Sequence, residues 1–294
     1  MNSDETYPQR VEESGEGEVY QPPSVEEVIA GVELPEGEGE GVIRLMKVMK
    51  RLRDPDGCPW DRSQTHQTLL GNLLEETYEL FQAISSGDRE AMREELGDLF
   101  LQVVFHAQIA REEGWFSLGA VCRELTEKLI RRHPHVFGPH HAGTPEEALS
   151  TWHRAKVKES PIASSLGAVP RAMPALLRAR KIQEKASRLG FDWANYEGAW
   201  EKFLEEVKEL SKAIEESHQE RIAEELGDAL FALVNVARFF HICPEVALIQ
   251  TIEKFLKRFQ QVEDRLRAKG ISWNEASLSQ MDAEWDEVKR SERM

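Results

Sequence analysis

The sequence predicts an all-α protein built from two tandem helical-hairpin units that form helix bundles. Three observations carry that expectation. Leu73, Thr77, Leu80 and Ile84 follow helical spacing, and so do Phe203, Val207, Leu210 and Ile214. No stretch of the chain alternates polar and apolar residues as a half-buried strand does. The chain also repeats itself. Leu74-Glu75-Glu76-Thr77-Tyr78-Glu79-Leu80 returns as Leu204-Glu205-Glu206-Val207-Lys208-Glu209-Leu210, displaced by 130 residues. Glu94-Glu95-Leu96-Gly97-Asp98 returns at the same displacement as Glu224-Glu225-Leu226-Gly227-Asp228. Further on, Glu127-Lys128 with Arg132 matches Glu253-Lys254 with Arg258, and Trp152 with Lys156 matches Trp285 with Lys289. Those later pairs are displaced by 126 and 133 residues, as changes of loop length produce.

The elements follow in order. Residues 1–40 hold twelve acids against Arg10 alone, with Gly, Pro and Ser between them and no sustained apolar period. They are expected to form a disordered acidic tail. Residues 41–158 form the first unit and 175–294 the second. Residues 159–174 are the linker, marked by Pro161, Pro170 and Pro174 among small residues. Each unit centres on an α-hairpin with flanking helices. The turns are Ser85-Ser86-Gly87-Asp88 and the stretch from Glu215 to Gln219. The second helix of each hairpin is apolar nearly all round: Leu96, Leu99, Phe100, Val103, Val104 and Ala107, then Leu226, Leu230, Leu233, Val234 and Ala237. Such a helix belongs at a bundle centre or a subunit interface.

Charge narrows the function classes. The net charge is −16, of which the first forty residues supply −11, leaving −5 for the rest. An acidic chain of this kind is not expected to bind nucleic acid directly, because that affinity comes largely from neutralising phosphates. Three scattered cysteines (Cys58, Cys122 and Cys243) make no disulfide framework and fit a reducing cytoplasm. No stretch approaches 18 apolar residues and no basic, apolar leader opens the chain, so neither membrane association nor export is expected.

The repeated acids point to a metal. On a helix, Glu76 and Glu79 are three apart and Glu75 and Glu79 four apart, so all project from one side. Glu95 and Asp98 repeat the spacing of three on the next helix. An antiparallel hairpin turns the two clusters toward each other, and the second copy repeats them as Glu205, Glu206, Glu209, Glu225 and Asp228. Carboxylates about 4 Å apart repel by roughly 4 kcal/mol at an effective dielectric of 20. Crowded acids therefore shift their protonation or bind a cation. Carboxylates without cysteine or repeated histidine favour a hard ion, Mg²⁺ or Mn²⁺. Gly97 and Gly227 sit within each cluster at a cost of about 1 kcal/mol relative to alanine, which suggests that another backbone or a ligand comes close.

Cations follow the acids in the same order in both copies. Lys128 and Arg132 are four apart, as are Lys254 and Arg258. Trp152 with Lys156 and Trp285 with Lys289 place an indole beside a lysine, suited to stacking on a base next to a phosphate contact. Lys202 precedes Glu205 by three, but Asn72 replaces it in the first copy. His133, His135, His140 and His141 lack a repeated counterpart and read as an ordinary loop, and His106 meets Val236 in the second copy. There is no Gly-x-x-x-x-Gly-Lys loop and no recognisable nucleophile.

These residues together resemble the MazG family of nucleoside triphosphate pyrophosphohydrolases. The likeness spans about residues 42–291 and rests on three sets of motifs. They are Asp54-Pro55-x-Gly57-Cys58-Pro59-Trp60-Asp61 with Gln64-Thr65-His66, Arg131-Arg132-His133-Pro134-His135-Val136-Phe137-Gly138, and both EExxE…ExxD pairs. The resemblance implies a hairpin-based all-α fold, usually dimeric, that hydrolyses a nucleoside triphosphate substrate to the monophosphate and pyrophosphate with Mg²⁺. The family's ligand positions fall on Glu206, Glu209, Glu225 and Asp228, and in the first copy on Glu76, Glu79, Glu95 and Asp98. The Lys/Arg and Trp/Lys pairs resemble its nucleotide-binding positions. Lys254, Arg258 and Lys289 are expected to stabilise developing charge, and Glu205 to position or deprotonate the water. Ile252 departs from the pattern, standing where second-copy relatives often place Asn. Two-copy relatives tend to keep activity in the second unit, but here both units retain every acid. Two alternatives remain: a di-iron bundle, which needs a Glu-x-x-His that the acidic motifs lack, and a non-catalytic nucleotide-binding or scaffold bundle.

Overall fold

The computed structural model describes residues 21–139, 141–159 and 169–292. Among these residues every regular element is a helix, as the sequence predicts. The chain divides into two compact units, Met1–Glu159 and Ser160–Met294.

In the first unit, α1 (Val25–Ile29) and α2 (Glu38–Arg53) precede the short α3 (Pro59–Ser63). Then come the hairpin α4 (Leu70–Ser86) and α5 (Arg89–Glu112), followed by α6 (Leu118–Arg132), α7 (Pro134–Phe137) and α8 (Pro145–Glu159). The sequence dictates the hairpin turn atom by atom. Gly87 adopts a left-handed φ of 72° that ends α4, and the Asp88 carboxylate accepts from the Glu90 and Ala91 amides to start α5. The core lies between α2 and α5, where Met49, Leu69, Val104, Phe105, Ala107 and Ile109 are buried. Arg53 ties this core to the loop before α4. Its guanidinium lies 5.4 Å from the Phe105 ring centroid, pairs with Glu112 at 2.7 Å, and donates to the Asp61 and Gln64 carbonyls. Gly57 turns under α2 so closely that a Cβ there would stand 2.3 Å from the Leu52 carbonyl oxygen.

The second unit comprises α9 (Ala175–Arg188), the hairpin α10 (Tyr196–Glu215) and α11 (Gln219–Phe239), then α12 (Pro244–Ala268) and α13 (Leu278–Ser291). Here a non-glycine residue, Ser217, takes the left-handed turn position, and His218 caps α11 through its ring nitrogen on the Arg221 amide. Helix α9 packs on α11 and α12. α13 closes on α12 over Val262, Leu266 and Val288. Buried Glu284 pins that closure with Lys269 and with Arg265 at 2.9 Å.

One expectation changes. The acidic segment does not stay irregular through residue 40: Ser24 and Glu27 form a reciprocal capping box on α1, and α2 begins at Glu38. The expectation for residues 1–20, and that for linker residues 160–168, lie outside the described residues. The apolar second helices of the hairpins, expected at a bundle centre or a subunit interface, are covered on one side only within their own units. Leu96 and Val103 of α5 are half-exposed, as are Leu226, Leu230 and Leu233 of α11.

His106, which has Val236 as its counterpart in the second copy, lines the first unit's interior. Its Nδ1 lies 2.8 Å from Nδ1 of His66, which stacks in turn on Trp115. Burial, and then the neighbouring His66, hold His106 below the usual histidine range. The folded state therefore favours the neutral ring, so its stabilisation is complete above about pH 6.5 and is lost as pH falls below that value. His106→Val, which copies Val236, is expected to flatten the fall of Tm between pH 7.5 and 5, measured by circular dichroism. An unchanged slope would contradict the assignment.

Candidate metal and nucleotide site

The hairpins bring the repeated acids together. In the first unit one carboxylate oxygen each from Glu76, Glu79 and Glu95 lies within 4.8 Å of the other two. In the second unit Glu206, Glu209 and Glu225 do the same. Two helices supply each triad because i, i+3 spacing on α4 and α10 faces the second turns of α5 and α11. Asp98 lies near enough to act on Glu76, while Asp228 sits one turn beyond Glu225 and outside the triad. Glu206 and Glu225 are only 7% and 8% exposed.

The electrostatics record the crowding. Burial, and then the charges of Asp98, Glu79, Glu95 and Glu75, push the Glu76 carboxyl above the usual range. Glu95 is raised by desolvation and then by Glu79, Glu94 and Asp98. Glu225 is raised by desolvation and by Glu209, with Arg221 opposing. Oxygen donors so placed, half-buried and mutually repelling, fit a hard divalent cation.

The two clusters differ in what neutralises them. Lys202 Nζ lies 2.7 Å from Glu206 and 2.9 Å from Glu205, and those bonds raise its pKa well above the ordinary lysine value. Arg221 reaches Glu225 at 3.6 Å and Glu216 at 2.7 Å. Sequence reading missed Arg221. Its signal was the i, i+4 spacing to Glu225 together with Ala91 at the same register of the first copy. Among the described residues, no ion pair reaches Glu75, Glu76, Glu79, Glu95 or Asp98.

The other predicted cations are not gathered at the acids. Arg258 binds Glu292 at 2.6 Å, and Lys289 binds Asp286 at 2.7 Å. Trp285 packs against Phe255, with ring centroids 5.2 Å apart, at the α12–α13 seam, and Lys254 lies near enough to Glu292 to lower its pKa. In the first unit Arg132 and Lys156 both lie over the Trp152 ring, at 5.5 and 5.0 Å from its centroid. Lys128 stands one turn before Arg132 on α6. Gly97 and Gly227 are not crowded by any backbone: a Cβ at either would meet nothing within 4 Å. The space beside each triad is open.

Comparison with known proteins accords with this arrangement. The family model of the MazG nucleotide pyrophosphohydrolase domain matches twice, at residues 64–137 and 195–264. The chain is 45% identical over 247 residues to the nucleoside triphosphate pyrophosphohydrolase/pyrophosphatase MazG of Thermotoga maritima, covering 83% of this chain and 94% of that one. It is 43% identical over 255 residues to the nucleoside triphosphate pyrophosphohydrolase of Escherichia coli K12, covering 85% and 97%. The mycobacterial protein of that name from Mycolicibacterium smegmatis matches over 157 residues at 40%, about half of each chain.

Lys202 occupies a Glu206 oxygen that a cation on the second triad would need. Lys202→Met is therefore expected to tighten Mn²⁺ binding at the second triad about threefold to fivefold in nucleotide-free protein, measured by electron paramagnetic resonance. Unchanged affinity would separate Lys202 from the cluster.

Proposed function

We infer the activity from kinship: the chain belongs to the MazG nucleotide pyrophosphohydrolase family, and its reaction is hydrolysis of a nucleoside triphosphate to the monophosphate and pyrophosphate. The structural observation that supports this reading is the meeting of three carboxylates across each hairpin. Ribo- and deoxyribonucleoside triphosphates are the substrate class. Glu206, Glu209, Glu225 and Asp228 hold the cation in the second unit, and Glu76, Glu79, Glu95 and Asp98 in the first. Mg²⁺ or Mn²⁺ supplies charge neutralisation on the phosphates and lowers the pKa of a bound water.

The chain's own groups do the rest. Glu205, hydrogen-bonded to Lys202 and otherwise open to solvent, orients the attacking water and takes its proton. Lys202, which rests on Glu206 at 2.7 Å, would be free to bind the triphosphate if Glu206 held a cation. Lys254, Arg258 and Lys289 stabilise charge developing on the leaving pyrophosphate. Arg258 and Lys289 must first leave Glu292 and Asp286, so bound phosphate replaces an internal carboxylate as their partner. Trp285 gives the nucleotide an indole beside Lys289, as Trp152 does beside Lys156, with Lys128 and Arg132 in the matching places of the first unit. The half-exposed leucines of α11 support a homodimer in which each hairpin packs against a second copy. No described helix is alone long and apolar enough to cross a membrane. A cytoplasmic setting without membrane or direct nucleic-acid contacts agrees with that and with the acidic charge.

Product analysis tests the bond assignment. ATP with Mg²⁺ is expected to yield AMP and pyrophosphate, whereas ADP and orthophosphate would contradict it. Glu209→Ala and Asp228→Ala are each expected to lower kcat about a thousandfold or more with helicity intact. Turnover surviving both substitutions would take catalysis away from the second unit. Light scattering is expected to give twice the 33.6 kDa chain mass, and a monomer at micromolar concentration would remove the dimer.

A further inference from the structure

The first forty residues carry −11 of the chain's −16, yet none of those acids belongs to either triad. The motifs that carry the family likeness run from Asp54 to Lys289, so this charge also stands outside them. Its attachment to the fold is set by α1. Ser24 and Glu27 close that helix with a capping box, and α1 packs against α6 in the first unit. Residues 1–20 are thereby tethered a few residues from α6. They hold Asp4, Glu5, Glu12, Glu13, Glu16 and Glu18 against Arg10, a net −5 from six acids and one base. Tyr7, Val11, Val19 and Tyr20 lie among those acids.

Helix α6 offers the complement. It bears Arg123, Lys128, Arg131 and Arg132 against Glu124 and Glu127. Val121, Leu125 and Leu129, spaced by four on the same helix, are half-exposed, so an apolar line runs beside the bases. Helix α8 packs on α6 and enlarges the cationic end, because Lys156 and Arg132 both lie over the Trp152 ring. An acidic segment with scattered apolar residues matches this helix in both charge and hydropathy.

Reach and strength agree with the match. A chain of that length spans about 60 Å when extended and about 25 Å as a flexible coil, whereas α6 is about 22 Å long. Single exposed ion pairs are weak. A tethered segment, however, meets its target at an effective concentration in the millimolar range, so several weak pairs acting together are enough to hold it.

We propose that residues 1–20 dock on α6 as an intramolecular acidic arm that takes the place of phosphate on Lys128 and Arg132. Carboxylate and phosphate oxygens call on the same charged donors, so the arm and a triphosphate exclude each other at the first unit. Naming a triphosphate as the competitor rests on the pyrophosphohydrolase reading. The arm raises the polyphosphate concentration at which the first unit fills, and salt weakens it.

The test uses the full chain, without metal. Zero-length carbodiimide coupling is expected to join Glu12, Glu13, Glu16 or Glu18 to Lys128 or Lys156 within one chain, and inorganic triphosphate is expected to suppress it. A mixture of unlabelled and nitrogen-15-labelled protein separates coupling within a chain from coupling between chains. The second measurement is the triphosphate concentration that half-protects Lys128 from acetylation, read by mass spectrometry. In a variant with Glu12→Gln, Glu13→Gln, Glu16→Gln and Glu18→Gln it is expected to fall about threefold to fivefold at low salt, and the difference should vanish near 0.5 M salt. A charge-matched variant with Glu33→Gln, Glu36→Gln, Glu38→Gln and Glu40→Gln should leave it unchanged. Coupling that is absent or only between chains overturns the arm, as does an equal shift in the charge-matched variant. Coupling and the selective shift, in a protein that releases no pyrophosphate from nucleoside triphosphates, keep the arm and remove the activity instead.

Discussion

Like charges held close by a hairpin are the constraint on which the molecule is organised. Helices α4 and α5, and again α10 and α11, fold back over turns of two or three residues, and each fold presses three carboxylates to within 4.8 Å. Left alone, those charges push the helices apart; burial first, and then these neighbouring charges, hold the Glu76, Glu95 and Glu225 carboxyls above the usual range. The flanking elements oppose it. Arg53 clamps the loop before α4, α2 covers α5, and α9 covers α11. The repulsion is kept where an oxygen-seeking cation would relieve it, so that binding there would draw on the contacts that hold the fold.

Much of this was legible in the sequence because the chain carries its own control. A single Glu-Glu-x-x-Glu is an ordinary solvated helix face, but its return 130 residues later, beside Glu-x-x-Asp both times, isolates the positions that matter. The hairpin turns were equally readable, since Gly87 and Asp88 have few other uses in that order. Where the copies differ, the same comparison was less helpful. Arg221 escaped because Ala91 offered no echo, and the Asp192–Arg238 pair spans 46 residues with no local pattern to announce it. Gly97 and Gly227 were legible only in part. Their repetition pointed to a close backbone or a close ligand, and the free space over them removes the first of these. The capping box on α1 was overlooked inside a segment whose composition spoke only of charge.

The two units illustrate how a duplicated fold diverges without losing its frame. Both keep the triad, but they surround it differently. The second has Lys202 and Arg221 among its acids, whereas the first has neither cation and carries Phe105 and the His66–His106 pair in its interior. Divergence of this kind alters what sits next to the oxygens and spares the oxygens themselves, which is why acid-by-acid inspection cannot rank the copies.

Lys202 and Arg221 give the two hairpins an unequal footing. The second has positive charge resting on Glu205, Glu206 and Glu225, which offsets part of the repulsion across its fold. Among the described residues the clustered acids of the first hairpin have no such pairing. One polypeptide thus holds a hairpin that carries its own counter-charge and one whose like charges stand uncompensated.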